Sequence, residues 1–127
     1  MFDARQTFPE DVATGGELHH PDAAELDLPS LLHALSDPMR LEIVRNLACS
    51  FDGELSCKAI PLPVTKATAS HHFKVLRLAG VISQRDEGTR RISWLRRDDL
   101  ERRFPGLLDS VLRAAQAEEA ERSATPG

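Results

Sequence analysis

The sequence predicts a mainly α-helical domain carrying one small β-hairpin. Three observations carry the prediction. Apolar residues recur at helical spacing in several separate stretches, two β-prone runs are joined by turn chemistry, and proline or glycine punctuates the junctions. A chain of 127 residues accommodates one such domain with tails and is too short for a large multi-domain enzyme.

Residues 1–29 are polar and acidic, interrupted by Pro9, Pro21, Pro29 and Gly15-Gly16, and read as a flexible acidic N-terminal arm. The domain is expected over residues 30–117. Leu31, Leu32 and Leu35 mark a short first helix. Asp37 is placed to cap a second one, with Pro38 at the first helical position, where no N–H is required. Leu41, Val44, Leu47 and Ala48 form its apolar stripe, widened by Met39 and Ile43.

Ser50-Phe51-Asp52-Gly53 has turn composition, and Glu54–Ile60 (ELSCKAI) reads as another short helix ended by Pro61 and Pro63. Thr65 caps the next helix, which runs to about Ala79 with Gly80 as its stop. Two helices joined this way, the second polar on one side, make a helix-turn-helix candidate. Val81–Arg85 and Arg90–Leu95 then flank Asp86-Glu87-Gly88-Thr89 as a hairpin. Asp98, with Glu101 three residues on, suggests a capping box for a further helical turn that Phe104-Pro105-Gly106 breaks. Leu107, Leu108, Val111, Leu112 and Ala115 repeat along one stripe of a last helix, and residues 118–127 read as a polar C-terminal tail.

Charge is divided unevenly. The net charge is −4, yet residues 58–97 hold nine basic residues against two acidic ones, a net of +7. The rest of the chain holds seven against eighteen, a net of −11. A basic block inside an acidic chain is a footprint of polyanion binding. No apolar run approaches the ~20 residues a membrane helix needs, and the first residues lack a basic start followed by an apolar core, so no membrane partner is expected. Two cysteines, Cys49 and Cys57, make no disulfide framework, and the cytoplasm is the expected compartment.

The stretch ASHHFKVL, Ala69–Leu76, raises the question of a metal or catalytic histidine pair. At 100° per residue, Ala69, His72, Phe73, Leu76 and Ala79 fall on one side of the helix. Lys66, Ala67, Ser70, His71, Lys74 and Arg77 fall on the other. A chelating pair on a helix is spaced i, i+3 or i+4, so adjacent histidines diverge too far to share an ion. His72 is expected to pack inward with one nitrogen satisfied, and His71 to face outward. The outer face suits DNA: small residues permit close approach, hydroxyls reach base edges or phosphates, and cations neutralise phosphate. A helix about 21 Å long at 1.5 Å per residue fits a major groove ~12 Å wide. Lys66, Thr68, Ser70, His71, Lys74 and Arg77 are therefore the predicted groove contacts, and Arg90 and Arg91 the hairpin contacts.

ALSDPMRLEIVRNLA, then SHHFKVLRLAGVI, then RDEGTRRISWL together resemble the ArsR/SmtB group of winged helix-turn-helix transcription regulators over about residues 30–115. The resemblance implies a homodimer, formed through the first and last helices, that binds double-stranded operator DNA. It further implies a repressor that an effector releases. The sensing patterns are altered. Arsenic-sensing members typically carry ELCVCDL where this chain reads ELSCKAI, so Ser56 and Lys58 occupy the thiol positions and Cys57 falls between them. Zinc-sensing members place D-x-H and H-x-x-E on the last helix. Here Asp109 is followed by no histidine. No cofactor and no family metal site are expected. A non-standard site built from arm histidines His19 and His20 with Glu118, Glu119 or Glu121 is a separate possibility, and Cys49 with Cys57 is a candidate redox pair. Two other classes compete. One is a winged-helix protein-interaction module without specific DNA binding. The other is a metal-dependent hydrolase, which lacks a carboxylate–histidine constellation at useful spacing.

Overall fold

The helices begin where the sequence supplies caps. In the computed structural model, which describes residues 18–124, Asp27 accepts from the Ser30 N–H at 3.0 Å and opens α1 (Leu28–Leu35). Asp37 accepts from Met39 N at 2.8 Å and Arg40 N at 3.3 Å at the head of α2 (Pro38–Cys49). Thr65 Oγ1 accepts from Thr68 N at 3.2 Å and starts α3 (Lys66–Leu78). Each cap satisfies amides that have no partner inside the helix. Two helices follow the sheet, α4 (Arg97–Arg103) and α5 (Leu107–Ala124).

Gly80 ends α3 as predicted. It takes φ +86°, its N–H donates to Arg77 O at 3.0 Å, and Val81 N donates to Leu76 O at 2.9 Å. These are the paired bonds of a Schellman motif. A Cβ at this position would also run into the Leu26 side chain. Glycine is thus required twice over.

The sheet is antiparallel in the order β1-β3-β2, with β1 at Glu54–Ser56, β2 at Ile82–Glu87 and β3 at Arg90–Leu95. Glu87 faces Arg90 across the ladder, leaving Gly88-Thr89 as a two-residue loop with Gly88 at φ +63°. Primed hairpin turns need that left-handed residue. Ile43, Val44 and Leu47 of α2 form the centre of the core with Phe73 and Leu76 of α3. Leu31 and Leu35 close it from α1, and Leu100 and Leu108 from α4 and α5. No described helix is long and apolar enough to cross a membrane.

Four expectations are corrected. Glu54–Ile60 is no helix: it is strand β1 followed by one 3-10 turn, Cys57–Ala59. Its partner strand, with Leu55 opposite Ser93, lies far along the chain, so local periodicity gives no warning. Residues 18–29 of the expected flexible arm are docked on the domain. Leu26 is buried, and backbone carbonyls of His19, Pro21 and Leu26 accept from Arg77, Arg96 and Arg103. Helix α5 continues past 117 to Ala124, because an Ala-, Glu- and Arg-rich stretch is polar but favours helix. Helix α4 starts at Arg97 without the expected capping box, and Glu101 Oε1 accepts instead from Gly106 N at 3.1 Å. Residues 1–17 of the arm and 125–127 of the tail lie outside the described residues.

Candidate nucleic-acid interface

The two faces of α3 divide as the helical wheel predicts, apart from one residue. Lys66, Thr68, Ser70, His71 and Lys74 are exposed, whereas His72, Phe73, Leu76 and Ala79 are buried. The rings of His71 and His72 sit 6.0 Å apart and tilted by 51°. His72 Nδ1 lies 3.1 Å from Arg40 Nη1, and its Nε2 lies 4.0 Å from Asp37 Oδ1. Arginine only donates, so Nδ1 accepts and the ring proton sits on Nε2. Burial acts to raise the Asp37 pKa, but the N–H groups of Met39 and Arg40, with His72 and Arg40 nearby, hold it below the usual carboxylate range.

The exception is Arg77. Its side chain is only 1% exposed, with Nη1 donating to Gln84 Oε1 at 2.9 Å and Nε to His19 O at 3.1 Å. The wheel gives the direction of a side chain, not what packs over it, and at the last turn of α3 the docked N-terminal segment and β2 cover that direction. Arg77 borders the groove described below, but its guanidinium is buried and engaged by these acceptors instead of projecting outward. Beneath it a polar chain continues through Gln84 Nε2, which donates to Ser93 Oγ at 2.9 Å and faces Cys57 Sγ at 3.6 Å.

The hairpin extends past α3 as a wing. Arg90 keeps 61% of its side chain exposed, 3.5 Å from Glu87, and Arg91 pairs with Asp86 at 2.8 Å. Arg85 shares the sheet face of Glu87 and Arg90, opposite that of Arg91. It bonds Glu54 and Glu87 and lies over the Trp94 ring at 5.2 Å, so its pKa is raised by those carboxylates. Between α3, residues 56–64 and the wing tip lies a groove of about 880 Å³. Lys66, Ser70, His71, Lys74, Arg90 and Arg91 all line it, as does the buried Arg77, while Thr68 is exposed on α3 outside its lining. Lys58, exposed on the 3-10 turn, lines it too and is not among the predicted contacts. Its membership in the basic block was the available signal.

Cys49 is an exposed free thiol at the end of α2, and Cys57 is a half-buried one. Burial pushes the Cys57 pKa up, against the smaller opposing effect of the Ser93 hydroxyl, which disfavours the reactive thiolate. His20 Nε2 accepts from Gln84 N at 3.0 Å. Among the described residues no three His, Cys, Asp or Glu side chains gather where one metal ion would sit.

A recognition helix exposed on one face, packed on a core by the other, and flanked by a hairpin defines a winged helix-turn-helix domain. No family model matches the chain. It is 39% identical over 83 residues to the uncharacterized HTH-type transcriptional regulator YceK of Bacillus subtilis (strain 168), a match spanning 64% of this chain and 82% of that one. The chain belongs to the HTH-type transcriptional regulators. Its fold is also that of an ArsR family transcriptional regulator, with 18% identity, a TM-score of 0.52, and coverage of 77% of this chain and 97% of the other. An ArsR-like regulator from Rhodococcus sp. RHA1 is similar at 24% identity and a TM-score of 0.50, covering 76% and 85%. The family makes the chain a regulator of transcription rather than an enzyme.

Proposed function

We propose that this regulator reads a double-stranded operator as a homodimer. The observation that carries the reading is the convergence of the exposed α3 face and the wing on one basic groove. Lys66 and Lys74 neutralise phosphates, Thr68, Ser70 and His71 meet base edges, and Lys58, Arg90 and Arg91 hold the backbone beside them. The dimer is supported by apolar surface on the first and last helices. Leu28 and Leu32 of α1 are 44% and 46% exposed, and Val111 and Leu112 of α5 are only half-buried. Two copies joined there would set their recognition helices about 34–36 Å apart, one DNA turn.

In this reading the protein acts as a repressor that an effector releases from its operator. Operator selection from a random duplex pool tests the reading. The wild type is expected to enrich one sequence with two-fold symmetry. Lys74→Ala should weaken binding to every duplex and flatten the salt dependence by about one unit of slope. Binding without sequence discrimination contradicts the reading and favours an interaction module.

A further inference from the structure

Arg40 holds more of the fold together than its place in α2 suggests. It is 7% exposed, and its guanidinium reaches two other helices. Nε donates to Ala34 O at 2.7 Å and Nη2 to His33 O at 3.3 Å, both carbonyls of the last turn of α1. Nη1 donates to His72 Nδ1 at 3.1 Å in the middle of α3. The His33 carbonyl also accepts from the N–H and hydroxyl of Ser36, and a cation at this helix end meets the negative end of the dipole. The fork of Arg40 therefore joins α1, α2 and α3 through one rigid plane.

At the last turn of α3 the buried Arg77 bonds Gln84 and the His19 carbonyl; around His72 itself the grip is apolar, through Phe73 and Leu76. Burial of that kind is strong but non-directional, and it tolerates small rotations. A planar guanidinium facing three fixed acceptors does not. His72 lies next to His71, so the azimuth at which Arg40 holds His72 also sets where His71 and Ser70 point. The far side of α1 carries exposed Leu28 and Leu32, the surface assigned above to the dimer.

We propose that Arg40 is a positioning residue for sequence recognition, transmitting the seating of α1 to the recognition helix through the His72 Nδ1 contact. The proposal rests on the DNA-reading function given above. It predicts an effect on discrimination rather than on general affinity, since neither Arg40 nor His72 faces the groove.

The test compares binding to the selected operator and to an unrelated duplex at one salt concentration, for folded wild type, Arg40→Lys, His72→Phe and His72→Asn. Arg40→Lys keeps the charge but loses the fork, and His72→Phe loses the acceptor. Both should lower the operator-to-unrelated ratio by about tenfold, with affinity for the unrelated duplex unchanged. His72→Asn places an oxygen near the Nδ1 position and should keep the ratio within about twofold of wild type. Folded Arg40→Lys and His72→Phe with the wild-type ratio overturn the proposal. If those variants do not fold, long-range 15N NMR of the wild type decides. An Nε2–H tautomer for His72 supports the contact, and an Nδ1–H tautomer overturns it. A wild type that discriminates nothing contradicts the operator-reading function instead, and the tautomer then judges the contact by itself.

Discussion

Two pairs of adjacent histidines occur in the described chain, and they meet opposite fates. His71 and His72 lie inside α3, where the helical step sends one to the groove and the other to the core. His19 and His20 lie in an irregular segment, where nothing local fixes their directions. There the His19 carbonyl accepts from Arg77, and the His20 ring accepts the N–H of Gln84 on β2, an edge strand of the sheet. Inside a regular element a side chain's surroundings follow from its phase. In a docked strap they follow from the surface it lands on.

Removing the strap's anchor gives the largest expected effect. Arg77→Ala leaves His19 O and Gln84 Oε1 without their donor and should cost about 3 kcal/mol in urea denaturation. If Arg77 were a DNA contact instead, the variant would fold as stably as wild type and bind DNA less well. Next comes Gly80→Ala, which puts a Cβ at positive φ and into Leu26 where the strap crosses α3. It should cost about 2 kcal/mol in thermal unfolding.

His20 gives a pH test of the same strap. Burial lowers its pKa from the ordinary 6.5, helped by the Arg77 charge and opposed by a backbone contact at Leu18, with Arg96 and His19 adding smaller repulsions. A base whose pKa falls on folding binds more protons unfolded, so stability is full above the unfolded value and is lost as pH drops toward the folded one. The wild type should therefore lose stability relative to His20→Gln as melts move from about pH 7.5 to about pH 5. Glutamine keeps an acceptor but does not titrate. Parallel curves would remove His20 from the strap's hold.

The smallest effect on stability belongs to the groove face. Ser70→Ala and His71→Ala should leave the melting curve within about 0.5 kcal/mol of wild type, while shifting which bases are preferred. A loss of several kcal/mol would mean that the outer face is structural after all.

The same contrast explains how much was legible. Caps at Asp37 and Thr65, the stop at Gly80 and the loop at Gly88 are signals within a few residues of the geometry they produce, and each appears where predicted. The face of α3 was legible for Lys66, Thr68, Ser70, His71 and Lys74 because exposure there follows phase. Strand β1 is three residues long and exists only through pairing with β3, so its own sequence reads equally well as helix. The strap looked like an arm because its polar residues and prolines bury little surface themselves. Its hold comes from arginines on α3 and α4 and one just before α4, together with a single leucine and the Gln84 N–H that His20 accepts. The burial of Arg77 under that strap is invisible in its helical phase for the same reason.

Operator recognition turns on the outer face of α3 reading sequence. Selection of bound duplexes from a random pool, run in parallel for the wild type and His71→Ala, tests this most directly. The expected result is a symmetric consensus for the wild type and a changed base preference at matching half-site positions for the variant, with equal salt slopes. Identical consensus sequences, or none for either protein, would contradict it.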